Sequence, residues 1–444
     1  MTRVDAGGAR RVSAGSGGLR GRFVLMLGGE AVQSAFHFGL NIGLVRSLSQ
    51  ADYGLFAIVF LVGGIGLTYV RSLAGVPAST FVPRRHGQRA ARAYDVTFGS
   101  GAVAISALFG LGMAVALWLV TGTAAGALGG GAFVALWCLR SYLRLALFAK
   151  RRPREAGLGD LAFALSGTVL AWWLVRGEGL ARIDGVLVAL AFAHAIGSAV
   201  SVLALREPVR VDFGASTRRR YRGLRQQLAW SFVGVTTTNL QSQGQTLLVA
   251  LVAGPEAYAP IAAALVLFAP LRLSAGALLN MAQPELAAAM ARRDIAAARR
   301  LVLVCAAAIL AGALACGAVL LAAFPLIASH LFASKFAGQP LGLVTTLLWL
   351  VATVSLGYAA PRILLEAVGA FRFLAAVSAV TAAVGAVAVG LLLVFTTPAW
   401  SVLGLLLSET LVLAACVAGA WRRLRPAGPK PAGPKAARRL DPCL

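Results

Sequence analysis

Twelve apolar stretches, each about as long as a helix needs to be to cross a bilayer, leave this chain few ways to fold. They lie near 23–45, 53–75, 97–120, 128–149, 158–176, 184–205, 228–253, 258–282, 301–323, 341–361, 373–395 and 400–421. Hydrocarbon offers the backbone no water, so each stretch must satisfy its own N–H and C=O groups, and a helix does this within one segment. With 59% hydrophobic and 13% charged residues among 444, the chain lies outside the make-up of soluble domains. The expected fold is all-α: a polytopic membrane protein of about 12 transmembrane helices.

The net charge of +25 would suit a nucleic-acid binder, but its distribution points elsewhere. Twelve spans create thirteen loops and tails that alternate between the two sides of a membrane. Of the 41 lysines and arginines, only Arg46, Arg176, Arg182 and Lys335 fall in even-numbered loops, and Arg71, Arg140, Arg144 and Arg272 fall inside spans. Every other basic residue lies in the odd-numbered segments 1–22, 76–96, 150–157, 206–227, 283–300, 362–372 and 422–444. Basic loops stay on the cytoplasmic side, which places both termini there and makes the charge a topology signal rather than a nucleic-acid footprint.

Residues 1–22 are Gly- and Arg-rich and read as a disordered basic tail. The apolar segment after them is too long and too polar for a cleaved signal core. At the other end, 422–444 is a second basic tail, with "PAGPKPAGPK" at 426–435 favouring an extended, solvated chain. Cys138, Cys305, Cys316, Cys416 and Cys443 have no metal-ligand spacing, and no nucleophile, base and metal set appears on the very short even-numbered loops. Neither an enzyme, nor a cofactor, nor a bound metal is expected.

The chain repeats its own plan. A shift of 205 residues lays "FVLMLGGEAVQSAFHFGLNIGLVRSLSQADYGLFAIVFLV" (23–62) over "LAWSFVGVTTTNLQSQGQTLLVALVAGPEAYAPIAAALVL" (228–267) without a gap. In each copy a polar-striped span leads to a short outside turn with an acid (Asp52, Glu256), a Tyr opening the next span (Tyr53, Tyr258), and an inside loop with paired arginines (Arg84 and Arg85, Arg292 and Arg293). The expected domains are an N-lobe of six helices (23–205), a basic cytoplasmic linker (206–227) and a C-lobe of six (228–421), two pseudo-repeats running in the same direction around a central cavity. On the first span Glu30, Gln33, Ser34, His37 and Asn41 fall within one arc of roughly 100°. The repeat sets Thr238, Asn239, Ser242 and Thr246 opposite the last four, with Gln241 and Gln245 beside them. Hydrogen bonding in a dry bundle would use such residues too, but two matching faces rich in amides suit a water-filled cavity better.

The same stretches resemble a known family. "RSLSQADYGLFAIVFLV" (46–62) resembles its pattern of an Arg-Leu pair and short loop before Tyr-Gly and an aromatic-rich second helix. "AAALVLFAPLRLSAGALLNMAQPELAAAMARRD" (262–294) resembles its eighth helix, and "PLIASHLFASKFAG" (325–338) its outer segment before the tenth. The family is the polysaccharide-transport branch of the multidrug/oligosaccharidyl-lipid/polysaccharide (MOP) exporter superfamily, best known from O-antigen flippases. Gln50-Ala51 stands where the pattern has Gly or Pro. The resemblance implies an inner-membrane flippase that moves an undecaprenyl-pyrophosphate-linked oligosaccharide to the periplasmic leaflet by alternating access, without cofactor. Its implied partners are that lipid-linked substrate, the membrane lipids, and polysaccharide polymerase and chain-length machinery.

A pyrophosphate crossing about 30 Å of hydrocarbon needs buried cations, and arginine, always charged and able to grip phosphate with two N–H groups, suits it best. Arg140 and Arg144 stand one turn apart on the fourth span, and Arg272 lies about 14 residues, or roughly 21 Å, inside the eighth. Arg71 sits near the cytoplasmic mouth of the second, where snorkelling to the surface competes with a binding role. The expected substrate-binding set is Arg140, Arg144, Arg272 and Arg71 with Gln33, Asn41, Asn239, Gln241 and Gln245. Glu30 and His37, ionisable on a polar face, are the candidates for ion coupling. His194 also lies in a span, and Asp160 and Glu409 suit interhelical or helix-end partnerships. Gly39 and Gly43 form a small-xxx-small pair that lets a helix approach closely. Two other readings stand beside the flippase. One is an ion-coupled multidrug exporter, which calls for an acid-dominated cavity. The other is a non-transporting scaffold whose basic tails dock partners.

Overall fold

A computed structural model describes residues 19–82, 88–150, 152–176, 183–205, 210–332, 335–336 and 338–424. Most of both expected tails, Arg84 and Arg85, and Cys443 lie outside these residues. The described residues form helices and no strand. In order these are α1 (Leu19–Ser47), α2 (Gln50–Val70), α3 (Val76–Phe81), α4 (Gln88–Thr121), α5 (Ala124–Ala149), α6 (Pro153–Arg176), α7 (Ile183–Leu205), α8 (Ala215–Gly223) and α9 (Arg225–Asn239). Then follow α10 (Gln245–Val266), α11 (Ala269–Ala291), α12 (Ile295–Ala322), α13 (Phe324–His330), α14 (Leu341–Gly357), α15 (Ala359–Ala367), α16 (Phe371–Phe395) and α17 (Val402–Leu424). The chain divides into two compact units, Met1–Val235 and Thr236–Leu444.

Ten described segments are long and apolar enough to cross a membrane. One of them, Arg225–Val266, runs through two expected spans, and Gly254 separates these with φ 84° and ψ 171°, a conformation essentially confined to glycine. The part beyond Gly254 continues into α11, and α1 supplies a 29-residue helix, which together restore twelve crossings. The chain is therefore a multi-pass membrane protein.

Helix ends differ most where hydropathy is a poor guide. The third span is read from 97, yet α4 begins at Gln88, because a stretch such as "QRAARAYDV" loses apolar character without losing helix propensity. Acids in loops serve as caps. Ser49 starts α2 by accepting from the Asp52 backbone N–H at 3.0 Å while its hydroxyl donates to the Asp52 carboxylate at 2.8 Å. Asp294 accepts from the Ala297 N–H at 3.0 Å to start α12. Tyr53 and Tyr258, the residues that open the paired spans, are both buried. Two π-helical turns interrupt the ladder, at Arg71–Gly75 and Leu240–Gly244. Such turns widen a helix by one residue and often stand at functional sites.

Close packing falls elsewhere than the sequence suggests. A Cβ on Gly131 would lie 2.7 Å from both the Gly110 carbonyl and the Ala114 Cβ, so α4 and α5 approach backbone to backbone there. Gly39 and Gly43, by contrast, have no atom within 4 Å of the space a Cβ would take. The glycine face of α1 opens onto an apolar groove of about 340 Å³ with Phe36, Gly167, Trp172 and Leu190 in its walls.

The segment expected as a plain linker is built onto the first unit. The Asp212 backbone N–H donates to Ser100 Oγ at 2.9 Å, and Arg220 donates to Thr97 Oγ1 at 3.1 Å and to the Ala93 carbonyl at 3.3 Å. Tyr221 meets Phe98 edge-on. The Asp212 carboxylate accepts from Gly214 N–H (2.7 Å), Thr217 Oγ1 (2.9 Å) and Ser216 Oγ (3.1 Å), which hold it below the usual carboxylate range.

Two outcomes test this architecture. Gly131→Val should lower the melting temperature, at a cost of about 1–3 kcal/mol, while Gly43→Val leaves it unchanged. Because the Asp212 carboxylate titrates lower folded than unfolded, its stabilisation is complete above about pH 5 and fades as pH falls through the folded value. Protection of the amides at 214–217, taken relative to the intrinsic exchange rate at each pH, should therefore fall below about pH 4 in the wild type, and Asp212→Asn should abolish that acid-side change.

Candidate functional site

In the first unit α5 carries Arg140 and Arg144 one helical turn apart, and Asp160 of α6 meets both. Arg140 Nη1 donates to Asp160 Oδ1 at 2.8 Å, and Arg144 Nε donates to Asp160 Oδ2 at 2.8 Å. Arg140 and Asp160 are each at most 3% exposed. Burying an ion pair costs several kcal/mol per charge, so it persists only where further hydrogen bonds complete it. Here Arg140 Nε donates to Nδ1 of His194, which puts the imidazole proton on Nε2, and Nη2 donates to Gln33 Oε1. Its guanidinium also lies 4.1 Å from the centre of the Phe163 ring.

Gly29 makes the approach of α1 possible, since a Cβ there would stand 2.6 Å from Asp160 Oδ2. The polar stripe of α1 thus faces protein at Gln33 and His37. His37 lies 6.4 Å from His194, ring to ring, among Phe60, Trp137 and Phe163, and its Nδ1 has no hydrogen-bond partner. Asn41 is buried with its Nδ2 turned onto the His37 carbonyl of its own helix at 2.8 Å. The Glu30 side chain lies outside the described ones. Arg71 is exposed on the first π-helical turn.

The second unit builds a different cluster. Gln241, on the second π-helical turn, donates from Nε2 to Glu409 Oε1 of α17 at 2.7 Å, and Tyr358 lies beside both. Glu409 Oε2, Gln241 Oε1 and both polar atoms of Gln245 are buried without a hydrogen-bond partner. Gln245 fits only because position 385 is glycine; a Cβ there would overlap its amide. Asn239 is buried, and Arg362 bridges Glu366 at 3.1 Å and Thr238 at 3.2 Å. Arg272 is exposed on α11, in no ion pair among the described residues, with Glu409, Tyr358 and Tyr258 as the ionisable groups around it.

Within each unit the structure therefore brings sequence candidates together: Arg140, Arg144, Gln33 and His37 in the first, and Gln241 with Glu409 in the second, Asn239 and Gln245 being buried nearby in the chain. Asp160, His194 and Phe163 complete the first set. The signal for Asp160 was its place in an apolar span whose neighbour carries two arginines on one face.

No family model matches the chain, and no curated protein does. Solved structures match it along most of its length. A multidrug resistance MATE family transporter of the MOP superfamily, in its inward-facing conformation, is 13% identical over 88% of this chain and 94% of its own, with a TM-score of 0.69. The outward-facing conformation of such a transporter is 14% identical over 90% and 94%, with a TM-score of 0.59. A MOP superfamily transporter from Pyrococcus furiosus, described by a binding pocket of reverse polarity suggesting a different function, is 12% identical over 90% and 94%, with a TM-score of 0.58. The fold is that of MATE transporters.

Removing Asp160 leaves one buried and one partly buried guanidinium group without their carboxylate. Asp160→Ala should cost about 3–5 kcal/mol in a thermal or denaturant melt in detergent. The triple change Arg140→Leu, Arg144→Leu, Asp160→Leu should recover most of that loss.

Proposed function

We propose that this protein is a transporter working by alternating access, and that its cargo is a lipid-linked oligosaccharide whose pyrophosphate head crosses the bacterial inner membrane from the cytoplasmic to the periplasmic leaflet. The observation that carries this reading is Arg272. A guanidinium placed within a membrane-spanning helix, exposed and in no ion pair, is costly unless water or an anion attends it. An anionic head supplies that partner. Arg71, also exposed, would meet the same head near the cytoplasmic mouth. Arg140 and Arg144 would reach phosphate only by exchanging the Asp160 carboxylate for it.

The amides of Gln33, Asn41, Asn239, Gln241 and Gln245 suit sugar hydroxyls, and the unpartnered ends of Gln241 and Gln245 have the most capacity to bind them. Glu30 and His37 are the proposed coupling groups, and both termini are placed in the cytoplasm by the loop charges. Polymerase and chain-length proteins are the partners this reading supplies. The Pyrococcus furiosus transporter, whose binding pocket of reverse polarity suggests a different function, supports a reading in which pocket polarity differs within one fold.

A second reading, export of organic cations, draws on Glu409, a buried carboxylate with one oxygen unpartnered. One experiment separates the two. In a strain depleted of this protein, undecaprenyl-linked glycan should accumulate on the cytoplasmic side. Wild type should clear it, Arg272→Ala should leave it, and Arg272→Lys should clear it in part. Normal arrival of glycan at the outer leaflet without the protein would end the flippase reading. Sensitisation to organic cations under the same depletion, restored by wild type but not by Glu409→Gln, would replace it with the exporter.

A further inference from the structure

Helix α8 and the residues before it form a site that the transport reading does not use. Against α4, with Ser100 and Gly101 in its wall, Phe213, Arg218, Tyr221 and Arg222 line an open groove of about 530 Å³. Arg218 and Arg222 stand one helical turn apart and are both exposed, so their guanidinium groups share one side of α8. Phe213, in the groove wall with the two cations, is 55% exposed, and Val211, two residues before it in the chain, is 45% exposed. The Tyr221 hydroxyl is buried at the groove without a hydrogen-bond partner. Among the described residues from 210 to 224 the acid is Asp212, and its carboxylate is turned onto Gly214, Ser216 and Thr217.

This groove is held in place. Asp212 and Arg220 bind Ser100, Thr97 and the Ala93 carbonyl, which fixes α8 against the end of α4 that continues into the apolar span. The groove therefore sits at the level where a membrane helix leaves hydrocarbon, with two arginines for a phosphate and two apolar side chains for the acyl region beneath it. Loop charge places this end on the cytoplasmic side, where anionic lipids attract basic segments.

We propose that α8 and α4 form a binding site for the headgroup of an anionic phospholipid of the cytoplasmic leaflet, its phosphate held by Arg218 and Arg222, with Phe213 and Val211 set among the acyl chains. The site differs from a diffuse basic surface in having one groove, one pair of guanidinium groups and a defined stoichiometry.

The test is native mass spectrometry of the full-length, delipidated protein titrated with phosphatidylglycerol, with phosphatidylcholine of the same chains as the neutral probe. Wild type should hold one phosphatidylglycerol more tightly than the rest and show no such step with phosphatidylcholine. Arg218→Gln with Arg222→Gln should weaken that first step roughly thirtyfold, since each basic side chain at a membrane surface contributes roughly five- to sixfold. Arg218→Lys with Arg222→Lys, which keeps the charge, should retain most of it, and Arg422→Gln with Arg423→Gln, on α17, should leave it unchanged. An unchanged first step in the Gln pair, an equal step with phosphatidylcholine, or an equal loss from the α17 pair would each overturn the proposal. A melting temperature matching wild type for the Gln pair separates loss of the site from loss of fold.

Discussion

Hydrocarbon cannot hydrogen-bond a peptide group, and the architecture follows from that. Each described span satisfies its backbone within a helix, so departures from the i to i−4 ladder are few and can be read one at a time. Gly254 ends one crossing and starts the next with a conformation other residues avoid. The π-helical turns at Arg71–Gly75 and Leu240–Gly244 each loosen the ladder where a candidate side chain stands: Arg71 in one, Gln241 in the other. A ladder broken in a membrane segment costs stability, and polar candidates at both places tie that cost to side-chain placement rather than to packing alone.

The same shortage of water governs the charges. Arg140 is nearly inaccessible and is completed on every side by Asp160, His194, Gln33 and the face of Phe163. Four helices, α1, α5, α6 and α7, contribute to that one guanidinium, so it fixes their register as well as consuming their polar groups. Removing any single partner leaves the Arg140 N–H that it accepted from desolvated and unpaired, which is why such a cluster holds a conformation more strictly than an apolar contact of equal area would.

Much of this was legible from residue order. Apolar runs gave the crossings because composition over about 20 residues decides whether a helix prefers hydrocarbon. The spacing of Arg140 and Arg144 placed them on one face because helical periodicity is local. Partners were harder. Nothing local says that Asp160, 20 residues on, lies against Arg140, or that Glu409 lies against Gln241, 168 residues away. Gly39 and Gly43 show the opposite failure. A small-xxx-small spacing states that a helix could approach, while the approach itself depends on residues of another helix, and among the described residues none stands within 4 Å of the Cβ positions of Gly39 and Gly43. The start of α4 at Gln88 was missed because hydropathy marks where hydrocarbon ends, and a helix can continue into water.

The arginines read from sequence as one set therefore divide by environment. Arg140 and Arg144 already have a carboxylate, so binding a second anion would mean competing with Asp160 inside a site that excludes water. Arg272 and Arg71 are exposed, and an anion reaching them displaces solvent instead of a protein partner. Exchange at the first pair is costly and tied to the packing of four helices, whereas contact at the second pair is cheap and reversible.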